Sequence, residues 1–189
     1  MNSGTSPDQP AEQIVAAVEN WLDDVIISLN LCPFAGRAFR QKRIRITVTD
    51  VTSETALLDE LVAAMEALRA EPEVETCLLV HPNALSEFVV YNQFLDSVDA
   101  LLQRRGYEGE FQVASFHPDY QFAGTEPADA ENYSGRSPHQ LLHILRESSI
   151  DEAIARYPDI DAIPTRNIAT LNALGTQKLQ ALRQACFRD

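Results

Sequence analysis

The chain has 189 residues, with 28 acidic side chains, 15 basic side chains and a net charge of −13. This length fits one domain, and the negative charge opposes binding to nucleic acid or to an anionic membrane over most of the surface. Three cysteines without CxxC spacing argue against a disulfide scaffold and a zinc ribbon. No signal peptide or membrane-length apolar run is present, so we expect a cytoplasmic protein.

The domain prediction is a disordered N-terminus over residues 1–10 and a single α/β domain over residues 11–189. Apolar residues recur with helical spacing from Pro10 to Asn30, which predicts an amphipathic helix that ends before Cys32. Pro33 disfavours helical geometry at Cys32 and therefore places that thiol just beyond the helix.

Three segments have the patterns of strands. Arg43–Val48 alternates charged and apolar residues, Thr76–Pro82 is continuously apolar, and Glu110–Phe116 is also mainly apolar. Helices are predicted between them, one from Thr52 or Ser53 to Ala70 and one over 84–104. Strands separated by helices predict a small, mainly parallel three-stranded sheet, with a ferredoxin-like α+β arrangement as the alternative.

The last third of the chain is predicted to be helical. An aperiodic loop covers residues 117–137, and its aromatic residues, including Tyr120, favour order. In SPHQLLHILRE, Ser137 and Gln140 fit a helix-capping box around a proline at the first helical position. Shorter helices are predicted over 149–157, over 166–174 and after Thr176.

Two predicted strands end with the same dipeptide, His81-Pro82 and His117-Pro118. Ligands of parallel sheets bind beyond the carboxyl ends of the strands, so both histidines are expected at one rim. The alternative is that each imidazole only hydrogen-bonds a loop carbonyl. His117 is the stronger candidate for a general acid or base because the long loop follows it.

The predicted helix at Ser137 suggests an anion site. Helix N-termini bind phosphate or carboxylate, and Arg136 precedes this one directly. On a helix, His139 and His143 would lie one turn apart, near Arg146, which also permits a metal site. A plain helix cap with a solvated arginine and a buried histidine is the alternative.

Other side chains complete the predicted site. Cys32 is the candidate nucleophile if His117 or His143 contacts it, and otherwise it is a small buried thiol. Arg166 and Asn167 lie where a loop enters a helix and are expected to help to bind an anion, unless Arg166 only forms a salt bridge. A basic cluster between Gly36 and Thr49 either meets an anion or lines an exposed strand edge; it comprises Arg37, Arg40, Lys42, Arg43 and Arg45.

The segments LNLCPFA, VHPN, FHPDYQFAG, NYSGRSPHQLLHILRE and IPTRNI together resemble a bacterial family catalogued as domain of unknown function 1415. The resemblance extends from about Ile14 to Leu174 and implies a bacterial, single-domain protein of this size. It implies no activity, cofactor or residue role, so the functional prediction depends on the residues themselves.

The functional prediction is an enzyme acting on a small anionic substrate, a carboxylate or a phosphate ester. Its catalytic residues would be Cys32, His117 and His143. The substrate would be bound by Arg136, Ser137, Arg146, Arg166, Asn167, His81 and Tyr120. The alternatives are a non-catalytic anion-binding or sensor module and a Cys/His metalloprotein. No nucleotide-binding or serine-hydrolase motif is present, which leaves the cofactor and the oligomeric state open.

Overall fold

A computed structural model describes residues 9–157 and 159–188 of the chain. The residues predicted to form a disordered N-terminus lie outside this part of the chain, apart from residues 9 and 10. In chain order the elements are α1 (Ala11–Trp21), a π-helix (Leu22–Ile27), α2 (Ala35–Arg40), β1 (Ile44–Val48), α3 (Glu54–Ala70), β2 (Thr76–Val80), α4 (Phe88–Arg105), β3 (Phe111–Phe116), a 3₁₀-helix (Ala130–Ser134), β4 (Leu141–Arg146), α5 (Glu147–Arg156), α6 (Ala162–Leu174) and α7 (Thr176–Ala185).

Local signals correctly predicted most of the helices. The Ser53 hydroxyl accepts a hydrogen bond from the Ala56 amide at the start of α3, as an N-cap does. Gly106 ends α4 in the left-handed conformation that favours glycine. The N-terminal helix was also predicted, but its last part is a π-helix, which the spacing did not indicate. No helix among residues 9–157 and 159–188 has both the length and the apolar character of a membrane span.

The four strands form one mixed sheet in the order β1-β2-β4-β3. β1 and β2 are parallel, and β4 is antiparallel to both of its neighbours, so β3 runs in the same direction as β1 and β2. The α/β prediction is confirmed, whereas the prediction of three mainly parallel strands missed β4. The adjacent parallel pair also argues against the ferredoxin-like alternative, in which neighbouring strands are antiparallel.

The helix predicted from Ser137 is wrong, because this segment forms β4. Leu141, Leu142 and Ile144 are completely buried, since β4 is a central strand that is covered on both faces. The Ser137 hydroxyl donates a hydrogen bond to the His139 carbonyl at 2.6 Å and caps no helix. The anion site at a helix N-terminus and the histidine pair one helical turn apart are therefore absent from this segment.

The sheet has a hydrophobic layer on each face. Leu79, Leu142 and Ile144 face α3 and α4 on one side. The alternate positions Leu78 and Leu141 face α1, the π-helix and the C-terminal helices on the other side. A cavity lies on this second side of the sheet, near the start of β2, and Thr76 and Leu78 line it.

Candidate functional site

A cavity of about 870 Å³ lies between the second face of the sheet and the helices that cover it. We call it the amino-edge cavity, because Ile44 and Thr76, which begin β1 and β2, line it. Leu22 and Ile26 of the π-helix form part of the opposite wall, and π-helical turns are frequent at functional sites. Helix α5 covers one side of the cavity through residues that include Ser149, Ile150, Ala153 and Arg156.

His143 is one of the polar residues that line this cavity. It lies on β4 and is half-buried, with its ring 6.1 Å from the ring of Phe116. Its Nε2 is 2.7 Å from the Thr76 hydroxyl, and burial lowers the pKa of His143 to about 4. The imidazole is consequently neutral near neutral pH.

Cys32 lies in the wall of the same cavity, in the turn that follows the π-helix. It is a half-buried free thiol, whereas the free thiols of Cys77 and Cys186 are buried. Burial raises the pKa of Cys77 and raises that of Cys186 to about 11. Of the three cysteines, Cys32 is therefore the one most accessible to a reagent or a ligand.

The charged residues of the cavity are mainly cationic. Arg37 and Arg43 share one carboxylate oxygen of Glu75, at 3.0 and 2.6 Å. In total, four arginines and two glutamates line the cavity: Arg37, Arg43, Arg146, Arg156, Glu75 and Glu152. Arg156 pairs with Glu152 at 3.2 Å. The four arginines and two glutamates give the described lining a net charge of about +2, in a chain whose net charge is −13.

The carboxyl rim of the sheet holds the other predicted histidines. His81 and His117 follow β2 and β3, and their rings lie 5.8 and 5.1 Å from the ring of Tyr91. His117 Nδ1 accepts a hydrogen bond from the Asp119 amide, so its Nε2 is the protonated nitrogen and donates to the Leu85 carbonyl. Both nitrogens of His117 are thus occupied by backbone groups, and Cys32 lies with His143 in a different part of the molecule.

A smaller cleft of about 480 Å³ does lie at the carboxyl rim, between the starts of α3 and α4. Its charged lining residues are Glu54 and Glu87, and none of the predicted site residues lines it. The charged residues of this cleft therefore do not match the anion site that was predicted at this rim. The cationic cavity lies at the amino ends.

Three predicted anion-binding arginines bind protein groups instead. The Arg136 guanidinium donates to the carbonyls of Tyr120 and Pro127 and so closes the long loop. Arg146 donates to the carbonyls of Val74, Glu71 and Leu68, which fixes the end of α3 to β4. Arg166 donates to the Tyr157 hydroxyl at 2.6 Å and to the Asn30 carbonyl at 3.4 Å.

The remaining predicted residues, Asn167, Tyr120 and Ser137, lie in three different places. Asn167 lines the amino-edge cavity and donates a hydrogen bond to the Leu31 carbonyl at 2.8 Å. Tyr120 packs against Phe88 and Phe122 near the carboxyl rim. Ser137 is buried beside His139, away from both cavities.

The described part of the structure offers no set of metal ligands for the metalloprotein alternative. Within residues 9–157 and 159–188, the structure brings together no three His, Cys, Asp or Glu side chains that could hold a metal ion. Cys32 and His143 share a cavity, but His117 does not line it.

The model of a family described as a protein of unknown function, DUF1415, matches residues 13–181. The chain belongs to the DUF1415 family. No curated protein and no solved structure matches it. The match over residues 13–181 confirms the resemblance to this family that the sequence motifs indicated.

For this DUF1415 chain, several residues of the cavity were not predicted. Thr76 was assigned only to a strand, and Glu75 and Gln112 were not singled out. Trp21 was treated as one of the apolar residues of a helix. The basic cluster was a useful signal in addition to the predicted site residues, since Arg37 and Arg43 both line the cavity.

Proposed function

We propose that this protein binds a small anionic molecule with an apolar body in the amino-edge cavity. The observation that carries the proposal is the excess of positive charge in the lining of this cavity, in a strongly acidic chain. Arg146 donates to backbone carbonyls and Arg156 pairs with Glu152, so Arg37 and Arg43 are the candidate ligand-binding groups. Arg37 and Arg43 share Glu75, so a single carboxylate faces two guanidinium groups. A second carboxylate, supplied by a ligand, would complete the charge balance at this position.

The size and walls of the cavity support the same proposal. Its volume of about 870 Å³ lies in the range of small-molecule sites, which are mostly apolar with a few placed polar groups. Trp21, Leu78 and Phe116 provide apolar walls, and Thr76 and His143 provide polar groups between them. Such an arrangement favours a carboxylate with a hydrocarbon chain over a compact ion such as phosphate.

The fluorescence of Trp21 provides a direct binding assay, because this residue lines the cavity and is the only tryptophan in the chain. We expect octanoate to change the fluorescence and to bind more weakly as salt is added. Octanol, the uncharged analogue, should bind more weakly than octanoate. The double variant Arg37→Gln/Arg43→Gln should weaken octanoate binding roughly tenfold, as the loss of a charge-assisted contact does.

Arg104→Gln is the matched control, because Arg104 is exposed on α4 and does not line the cavity. This variant should bind octanoate like the wild type. Equal binding of octanoate and octanol, or an unchanged affinity in the double variant, would contradict the assignment of an anion site.

The exposure of Cys32 favours a second candidate function, acyl transfer through a thioester. The Cys32 thiolate would attack an acyl carbonyl, and the leaving group would depart with the bonding electrons and take up a proton. Water would then hydrolyse the thioester and regenerate the thiol. The free thiols of the chain fit a reducing cytoplasm, in which a reactive cysteine remains available.

This candidate predicts that nitrophenyl octanoate acylates Cys32 with a burst of nitrophenol. Intact-protein mass spectrometry should find one acyl group, and peptide mapping should place it on Cys32. The Cys186→Ala variant should show the same burst, whereas Cys32→Ala should not. A burst that survives in Cys32→Ala would exclude the cysteine as the nucleophile.

A further inference from the structure

A chain of two hydrogen bonds fixes the orientation of the His143 ring. The Thr76 hydroxyl lies 2.5 Å from the carbonyl oxygen of Ile144 and 2.7 Å from Nε2 of His143. A hydroxyl has one proton, and the carbonyl can only accept. The Thr76 proton is therefore given to Ile144, and the Thr76 oxygen accepts the proton of His143 Nε2.

This assignment leaves His143 Nδ1 without a proton. The ring is neutral because burial lowers its pKa to about 4, and a neutral imidazole carries one N–H group and one acceptor nitrogen. Nδ1 is thus an acceptor on a side chain that lines the cavity next to the ring of Phe116, and it is not among the fully buried polar atoms that lack a partner. An apolar ligand that fills the cavity would remove water from this acceptor and leave it unpaired, which is costly, whereas a donor on the ligand would pair with it.

We infer that His143 Nδ1 recognises a hydroxyl or N–H group on the ligand, so that the preferred ligand is a hydroxylated or amidated carboxylate with an apolar chain. The inference rests on the proposed function and adds the chemistry of the part of the ligand that lies against the sheet. Thr76 is a positioning residue in this arrangement, because it acts on the ligand only through the protonation state of His143.

The test compares octanoate with ω-hydroxyoctanoate, which differ by one hydroxyl group. In the wild type the hydroxylated probe should bind at least about tenfold more tightly, because octanoate leaves Nδ1 without a donor. The preference should disappear in His143→Phe, which keeps a ring but has no acceptor. The preference should be smaller in Thr76→Val, which keeps the shape of the side chain but removes the hydroxyl that holds the proton of His143 on Nε2.

Nitrogen-15 NMR provides a second test, because a histidine with only a structural role would give the same spectrum with either probe. The spectrum of the wild type should show the proton of His143 on Nε2, and the Nδ1 resonance should shift with ω-hydroxyoctanoate and not with octanoate. Thr47→Val is the matched control, since the Thr47 hydroxyl contacts Cys77 Sγ on the neighbouring strand and not His143. This control should retain both the preference and the spectrum.

The outcomes separate this inference from the proposed function. If both probes bind the wild type equally, or if Nδ1 carries the proton, the inference is overturned and the anion site stands. If neither probe binds, the proposed function fails and the inference fails with it. A preference that remains in His143→Phe would also overturn the inference, because another group would then recognise the hydroxyl.

Discussion

Gly135 lies against the ring of Tyr120 with no room for a side chain. A Cβ atom at position 135 would be 2.5 Å from Cδ1 and 2.6 Å from Cγ of that ring. The ring is in turn held by Phe88 and Phe122, whose centroids are 5.2 and 4.9 Å away. We therefore expect Gly135→Ala to lower the free energy of unfolding by about 2 kcal/mol, measured from the midpoint of urea denaturation.

Gly36 provides the control for this substitution. A Cβ atom there would meet the end of the flexible Arg40 side chain at 3.1 Å and would make an ordinary contact with Ile27 Cγ2 at 3.5 Å. Gly36→Ala should therefore leave stability unchanged or raise it by up to about 1 kcal/mol. The double variant Gly135→Ala/Tyr120→Ala should be less destabilised than the sum of its single variants, because the clash is removed. A Gly135→Ala protein as stable as the wild type would show that the ring moves freely.

At the scale of the elements, the helices whose signals lie within one segment of the sequence were predicted correctly. Helices α3 and α4 were found because their apolar stripes and the end signals at Ser53 and Gly106 lie within one segment. β4 was missed because the capping-box residues Ser137 and Gln140 outweighed the apolar run that follows them. That run is typical of a central strand, but its two neighbours, β2 and β3, are distant in the sequence.

The error in β4 also explains which parts of the site were predicted. Cys32 and His143 were chosen individually for their chemistry, and they do line one cavity. His143 reaches it because alternate residues of a strand point to the same face, which a helical assignment does not provide. The role of Thr76 could not be found from the sequence, because it depends on the pairing that brings β2 beside β4.

At the scale of the whole molecule, all four histidines of the chain are held in their neutral forms. Burial lowers the pKa of His81, His139 and His143 to about 4, and it also lowers the pKa of His117. In the unfolded chain each would titrate near its ordinary value of 6.5. Between these values the unfolded chain binds more protons than the folded protein, so acid favours unfolding.

We expect the free energy of unfolding to fall as the pH is lowered from 6.5 towards 4.5, by on the order of 2 kcal/mol for each of the three most shifted histidines. Arg45 and Arg69 lower the pKa of Glu71 and Glu110 below their ordinary value of 4.5 in the folded protein, so these two carboxylates add to the loss of stability only as the pH approaches 4.5. Urea denaturation at a series of pH values measures the slope. His143→Phe should make it shallower, because one titrating group is removed. A stability that stays constant over this interval would mean that the histidines are accessible to protons in the folded protein.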